Sequence, residues 1–148
     1  MLTAYHESGH AIVSGFLEDN DKVHMITIIP RGRAGGFTAY LPQEDAKFMT
    51  KRQMQHKLIS LLGGRAAEEV VLDDISTGAS NDIERATKIA HAMVTKYGMS
   101  KRLGPMMYGG DDSEVFLGEE LGKNKQYSDK IAYEIDSEMR ELIDEAYN

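Results

Sequence analysis

The sequence has no cysteine and no tryptophan. Without thiols there is no disulfide framework, no cysteine nucleophile, no Cys-ligated zinc, no iron–sulfur cluster and no redox switch. No apolar run approaches the ~20 residues that a membrane-spanning helix needs. The opening Met1-Leu2-Thr3-Ala4-Tyr5-His6-Glu7 has neither a basic stretch nor an apolar one, so no secretory leader is expected. An excess of positive charge is missing as well. Lys and Arg total 17 against 24 Asp and Glu, a formal net charge of -7. That balance argues against a phosphate-binding surface and against a nucleic acid partner. A working phosphate loop is also lacking. Gly118-Glu119-Glu120-Leu121-Gly122-Lys123-Asn124 has one residue too few between its glycines, Asn in place of Ser or Thr, and two acids where phosphate would sit.

What is present reads as one soluble globular domain of 148 residues, 41% hydrophobic and 28% charged. A helix is expected from the first residues, with Thr3 as its cap and Leu2, Tyr5, Ile12, Val13, Phe16 and Leu17 as its apolar positions. Glu18-Asp19-Asn20-Asp21 ends it. The β-branched stretch 23–29, stopped by Pro30, predicts a strand. A glycine-rich, partly basic turn over 31–36 leads to a second strand over 36–41, closed by Pro42, so a hairpin with a long tip is expected. Thr50 then opens a long helix whose inner face is Met54, Leu58, Leu61, Leu62, Ala66, Val70 and Val71. Gly63-Gly64 interrupts that pattern and marks either a kink or a close helix contact.

A loop over 73–78 precedes a helix expected over 79–97, with Gly98 as its stop. Residues 100–126 are rich in glycine and acids and read mostly as loop. A last helix starts near Ser128. Its stripe Ile131, Ile135, Met139, Leu142 and Ala146 suits either an oligomer contact or ordinary core burial. The fold class is therefore mainly α within α+β, with a small β-hairpin.

His6-Glu7-Ser8-Gly9-His10 is the His-Glu-x-x-His pattern. On a helix, residues four apart share a face, so both imidazoles reach one metal ion. Zinc accepts neutral imidazole nitrogen and keeps a position open for water in catalytic sites. Glu7, beside the first ligand, is placed to take the proton of that water. The plain alternative is two surface histidines on an amphipathic helix. A third ligand must come from elsewhere. Glu69, followed four residues later by Asp73, is one candidate; Asp82, in the first turn of a helix whose dipole favours an ionised carboxylate, is the other. Spacing alone leaves the choice open. His24, His56 and His91 read as packing or surface residues, and the nine methionines as core filler.

Tyr5-His6-Glu7-Ser8-Gly9-His10-Ala11, Gly35-Gly36-Phe37-Thr38, Gly63-Gly64-Arg65-Ala66-Ala67-Glu68-Glu69 and Ser76-Thr77-Gly78-Ala79-Ser80-Asn81-Asp82-Ile83-Glu84-Arg85-Ala86-Thr87 occur in that order. Together they resemble the proteolytic domain of the FtsH family, membrane-anchored AAA+ zinc proteases. Tyr97-Gly98-Met99-Ser100, Leu103-Gly104-Pro105 and Val115-Phe116-Leu117-Gly118 extend the resemblance over nearly the whole chain. Ser8, where Ala is more usual, is the one local departure.

The resemblance implies a helical zincin-type metallopeptidase domain spanning 1–148. Zinc would be held by His6, His10 and Asp82, with Glu7 as general base. Glu68 and Glu69 would become supporting residues near the site. The strand carrying Gly35, Gly36, Phe37 and Thr38 would receive substrate as an added strand. The two glycines there serve either close backbone approach or merely a turn.

The resemblance also implies an ATP-driven unfoldase domain in the full-length chain, a homo-hexamer, unfolded or membrane protein substrates, and a role in protein quality control. Membrane anchoring would leave the peptidase facing the cytoplasm or an organelle matrix or stroma. Since the first histidine comes so soon after Met1 and the last helical pattern runs to Tyr147-Asn148, this soluble chain is expected to be an excised domain. Two rivals remain: a helical oligomerisation module whose zinc is structural or lost, and a free-standing peptidase that needs no ATPase.

Overall fold

The computed structural model describes residues 1–18, 21–30, 35–41, 48–109 and 127–148. The expectations for the hairpin tip at 31–34, the Pro42 stop and the loop over 110–126 lie outside these residues.

The longest element shows how local chemistry fixes the frame. Thr50 and Gln53 cap each other reciprocally: the Gln53 N–H donates to Thr50 Oγ1 at 3.1 Å, and the Thr50 N–H donates to Gln53 Oε1 at 2.8 Å. This capping box satisfies two otherwise orphaned donors and starts helix α2, Lys51–Leu72. Asp73, at φ 50°, ends it in the left-handed region that short acidic side chains tolerate. Gly63-Gly64 produces no break, so the close-contact reading of that pair is the one that applies.

The inward positions run Met54, Leu58, Leu61, Leu62 and then Glu68, all buried. Val70 and Val71, expected inside, are 83% and 50% exposed. The reasons are phase and position. Val70, two residues beyond the inward Glu68, falls on the opposite face, whereas Val71, only about 60° off Glu68's direction, lies in the last turn of the helix and is half-exposed.

Helix α1, Leu2–Phe16, crosses α2 at two glycines. A Cβ on Gly9 would stand 2.4 Å from the Gly63 carbonyl oxygen, so only bare backbone fits there. Thr3 does not cap α1. The helix already begins at Leu2, with Met1 at the cap and no side-chain bond to it. Strands β1, Lys22–Thr27, and β2, Phe37–Leu41, pair antiparallel, a two-stranded sheet among the described residues, with a register irregularity between Val23 and Met25. β1 stops two residues short of the expected end. The Ile29 N–H turns back to Thr27 Oγ1, and Ile28 and Ile29 stay exposed.

A single 3₁₀ turn, Thr77–Ala79, leads into α3, Ser80–Thr95. The chain after it is reversed by Gly98 at φ 59°. Helix α4, Asp129–Tyr147, is capped by Ser128, whose hydroxyl accepts from the Ile131 N–H. Ile135 of α4 is buried, and Leu142, Ile143 and Ala146 pack on the cluster formed by Met54, Leu58, Leu61, Leu62, Ala86 and Met93. The apolar stripe of this helix thus serves the core between α2 and α3. Arg102 braces the preceding turn against α4 by ion pairs to Glu134, Glu138 and Glu141. No helix among the described residues is long and apolar enough to cross a membrane.

Candidate metal centre

The site lies where α1, α2, α3 and β2 meet, in a cleft of about 630 Å³. Helical spacing puts His6 and His10 on the same side of α1, and both are buried. Their Nε2 atoms are 3.0 Å apart. Asp82 enters from the first turn of α3, where the helix dipole favours its charge. Its Oδ2 lies 3.0 Å from His6 Nε2 and 3.1 Å from His10 Nε2. Three potential ligand atoms therefore form a nearly equilateral triangle. Ligands of a tetrahedral zinc ion, each about 2.0–2.1 Å from it, stand about 3.3 Å apart.

The tautomers decide what this triangle can hold. His10 Nδ1 is 2.8 Å from the Ser60 carbonyl oxygen, which only accepts, so Nδ1 carries the proton. His6 Nδ1 donates to Glu68 Oε1 at 2.9 Å. In the neutral imidazoles both Nε2 lone pairs then converge with a carboxylate oxygen: three acceptors and no donor. Only a cation or extra protons satisfy such a set. Gly64 supplies the room beneath it, since a Cβ there would lie 2.7 Å from both Nε2 atoms. The donor set and the space fit a small divalent ion with borderline-soft preferences, as zinc has.

The titration behaviour agrees. The hydrogen bond to Asp82 raises His6 above its usual value in spite of burial. Burial pulls His10 down, but its bonds to Asp82 and to the Ser60 carbonyl outweigh this and leave it raised. Burial alone would lift Asp82, yet the two imidazoles hold it down to about 2.

These shifts have a definite sign for stability. A folded-state histidine raised above 6.5 contributes stability that is complete below 6.5 and is lost as pH rises through the raised value. The depressed Asp82 contributes above the unfolded carboxylate value, and this is lost only as pH falls towards 2. Metal-stripped protein should therefore melt at progressively lower temperature as pH is raised from 6.5 towards 8. Thermal unfolding in chelator across that range checks this, and a melting temperature that climbs would contradict it.

Around the triangle, Glu68 is wholly buried and accepts three hydrogen bonds. Besides His6, they come from the Ser76 N–H at 2.9 Å and the Ser76 hydroxyl at 3.1 Å. One carboxylate thus ties the first histidine to the loop that leads into Asp82. Glu7 is buried in the cleft wall, and its Oε2 accepts from the Thr38 hydroxyl at 2.8 Å.

Of the residues singled out in the sequence, His6, Glu7, His10, Asp82 and Glu68 come together. Glu69 does not. It is exposed and accepts a hydrogen bond from the Tyr147 hydroxyl, far from the histidines in role. Gly35, Gly36, Phe37 and Thr38 line the cleft. A Cβ on Gly36 would meet the Thr27 carbonyl oxygen and Thr3 Cγ2, whereas the space around Gly35 is open. Ser60, Ser76 and the Thr38 bond to Glu7 were not anticipated. Ser60 acts through a carbonyl that every residue has, so no sequence signal marks it. Ser76 could have been suspected as the Ser of a turn-forming Ser-Thr-Gly, which caps the 3₁₀ turn at Gly78.

The model of peptidase family M41 matches residues 1–148. The chain is 58% identical over 146 residues to the ATP-dependent zinc metalloprotease FtsH 1 of Thermoanaerobacter sp. (strain X514), covering 99% of this chain and 24% of that protein. It is 58% identical over 146 residues to FtsH 2 of Alkaliphilus metalliredigens (strain QYMF), covering 99% of this chain and 21% of the relative. Identity to FtsH of Bacillus subtilis (strain 168) is 49% over 147 residues, again 99% of this chain and 23% of the relative. The chain thus spans about a quarter of the length of the curated relatives it matches.

Proposed function

Because the chain belongs to peptidase family M41, we propose that it is the zinc metalloendopeptidase domain of a longer ATP-dependent protease and hydrolyses peptide bonds in unfolded or unfoldase-delivered chains. The observation that carries this is the convergence of three acceptor atoms, from His6, His10 and Asp82, at the wall of an open cleft. His6, His10 and Asp82 would hold zinc, which when bound polarises the scissile carbonyl and makes water more acidic.

The chain's own residues do the rest. Glu7 takes the proton of the attacking water and returns it to the leaving nitrogen as the bond breaks. Glu68 and the Ser60 carbonyl keep both Nδ1 atoms protonated, which leaves Nε2 of each ring as the ligand atom. Among the described residues only β1 pairs with β2, so the far edge of β2 would offer backbone groups to an extended substrate. Main-chain pairing there makes little demand on substrate sequence, which suits an enzyme that cuts unfolded chains. The partner ATPase, the hexamer, membrane protein substrates and membrane anchoring belong to the longer protein that the relatives' names and lengths suggest.

Metal content combined with hydrolysis of an unfolded protein tests this. These residues should bind about one zinc and cut casein without ATP, and chelation should stop the cutting until zinc is restored. Zinc binding with no hydrolysis would favour the assembly module with a structural site, which has no open water position.

A further inference from the structure

Strand β2 enters the centre by a second route. Thr38 pairs with Ile26 in the sheet, and its hydroxyl lies 2.8 Å from Glu7 Oε2 and 3.0 Å from the Glu7 carbonyl oxygen. The hydroxyl has one proton to give. The Glu7 carbonyl sits in the helical ladder of α1, while the carboxylate is charged, so the carboxylate takes the proton in a charge-assisted bond. Among the described residues, no other side chain hydrogen-bonds the Glu7 carboxylate. A glutamate has three side-chain torsions, and α1 fixes only where the first of them starts. One hydroxyl on Oε2 pins the end of the side chain and leaves Oε1 as the oxygen that can accept a proton.

We infer that Thr38 is the positioning residue for Glu7. Its hydroxyl holds the base in place, rather than binding substrate. This rests on the assignment of Glu7 as general base. The backbone of a strand and its side chains point in different directions. The edge of β2 can therefore pair with substrate while the Thr38 hydroxyl holds the base. The strand that would bind the substrate and the group that would activate water are then parts of one rigid unit.

Thr38→Val keeps the shape and the strand preference and removes only the hydroxyl; Thr38→Ser keeps the hydroxyl. In the zinc-loaded protein cutting casein, Thr38→Val should lower kcat about 10–100-fold, a part of the contribution that a general base makes. KM should stay within about twofold and zinc content should not change. Thr38→Ser should restore most of kcat, an effect that loss of packing alone would not produce. In a Glu7→Gln background, Thr38→Val should cause no further loss. A raised KM with unchanged kcat would overturn the inference and make Thr38 a substrate contact. So would Thr38→Ser as defective as Thr38→Val, or full kcat in Thr38→Val. If Glu7→Gln itself keeps normal turnover, the base assignment fails first and the positioning role goes with it.

Discussion

Glu7→Gln should fold, retain about one zinc and lose roughly 10²–10⁴-fold in peptidase turnover, the contribution typical of a positioned general base. The substitution changes one atom. The amide oxygen can still accept from the Thr38 hydroxyl, now 2.8 Å from Glu7 Oε2. The three converging atoms proposed to hold the metal belong to other residues, so the metal should stay. What is lost is the ability to take up a proton. Zinc content and kcat, measured on the same preparation, separate this from a damaged site. Turnover close to the parent at full zinc occupancy would sink the general-base role.

The second large effect concerns Asp82, the proposed third ligand. Asp82→Ala removes the only anion of the triangle and leaves two imidazoles 3.0 Å apart with nothing to close the set. Zinc affinity should fall more than 100-fold, because loss of an orienting group such as Glu68 already costs on the order of 10–100-fold. Glu69→Gln should leave affinity unchanged, since Glu69 is exposed and occupied with Tyr147. Competition against a graded chelator would rank the three variants: Asp82→Ala weakest, Glu68→Gln between, Glu69→Gln equal to the parent. If Glu69→Gln loses the metal while Asp82→Ala keeps it, the ligand assignment is reversed.

That contrast shows what could be read beforehand. The helices were legible because their signals are local: Thr50 three residues before Gln53, Ser128 before an apolar stripe, Gly98 after one. The His-Glu-x-x-His pair was legible because four residues on a helix is a fixed distance. The choice between Glu68 and Glu69 was not, although the phase of the inner stripe contained it. Met54, Leu58 and Leu61 extend to 68 and not to 70 or 71. Counting the apolar Val70 and Val71 as inside hid this, because burial there is decided by a charged residue with a long-range partner. The Thr38 bond depends on how β2 lies against α1, which no single segment specifies. The bend at Ile29, by contrast, came from one local hydroxyl.

The sequence separations at the centre have a further consequence. His6 and Asp82 are joined by a contact across 76 residues, and His6 and Glu68 across 62. An unfolded chain cannot gather these atoms, since closing so long a loop is entropically costly. If these atoms hold zinc as proposed, the ion would favour the folded state over the unfolded one, and its binding free energy would become folding free energy. At free zinc 100 times the dissociation constant, that linkage adds about 2.7 kcal/mol of stability. Zinc supply would then set how long the domain survives as well as how fast it cuts. A chain starved of metal would be not only inactive but closer to the unfolded polypeptides that it is proposed to degrade.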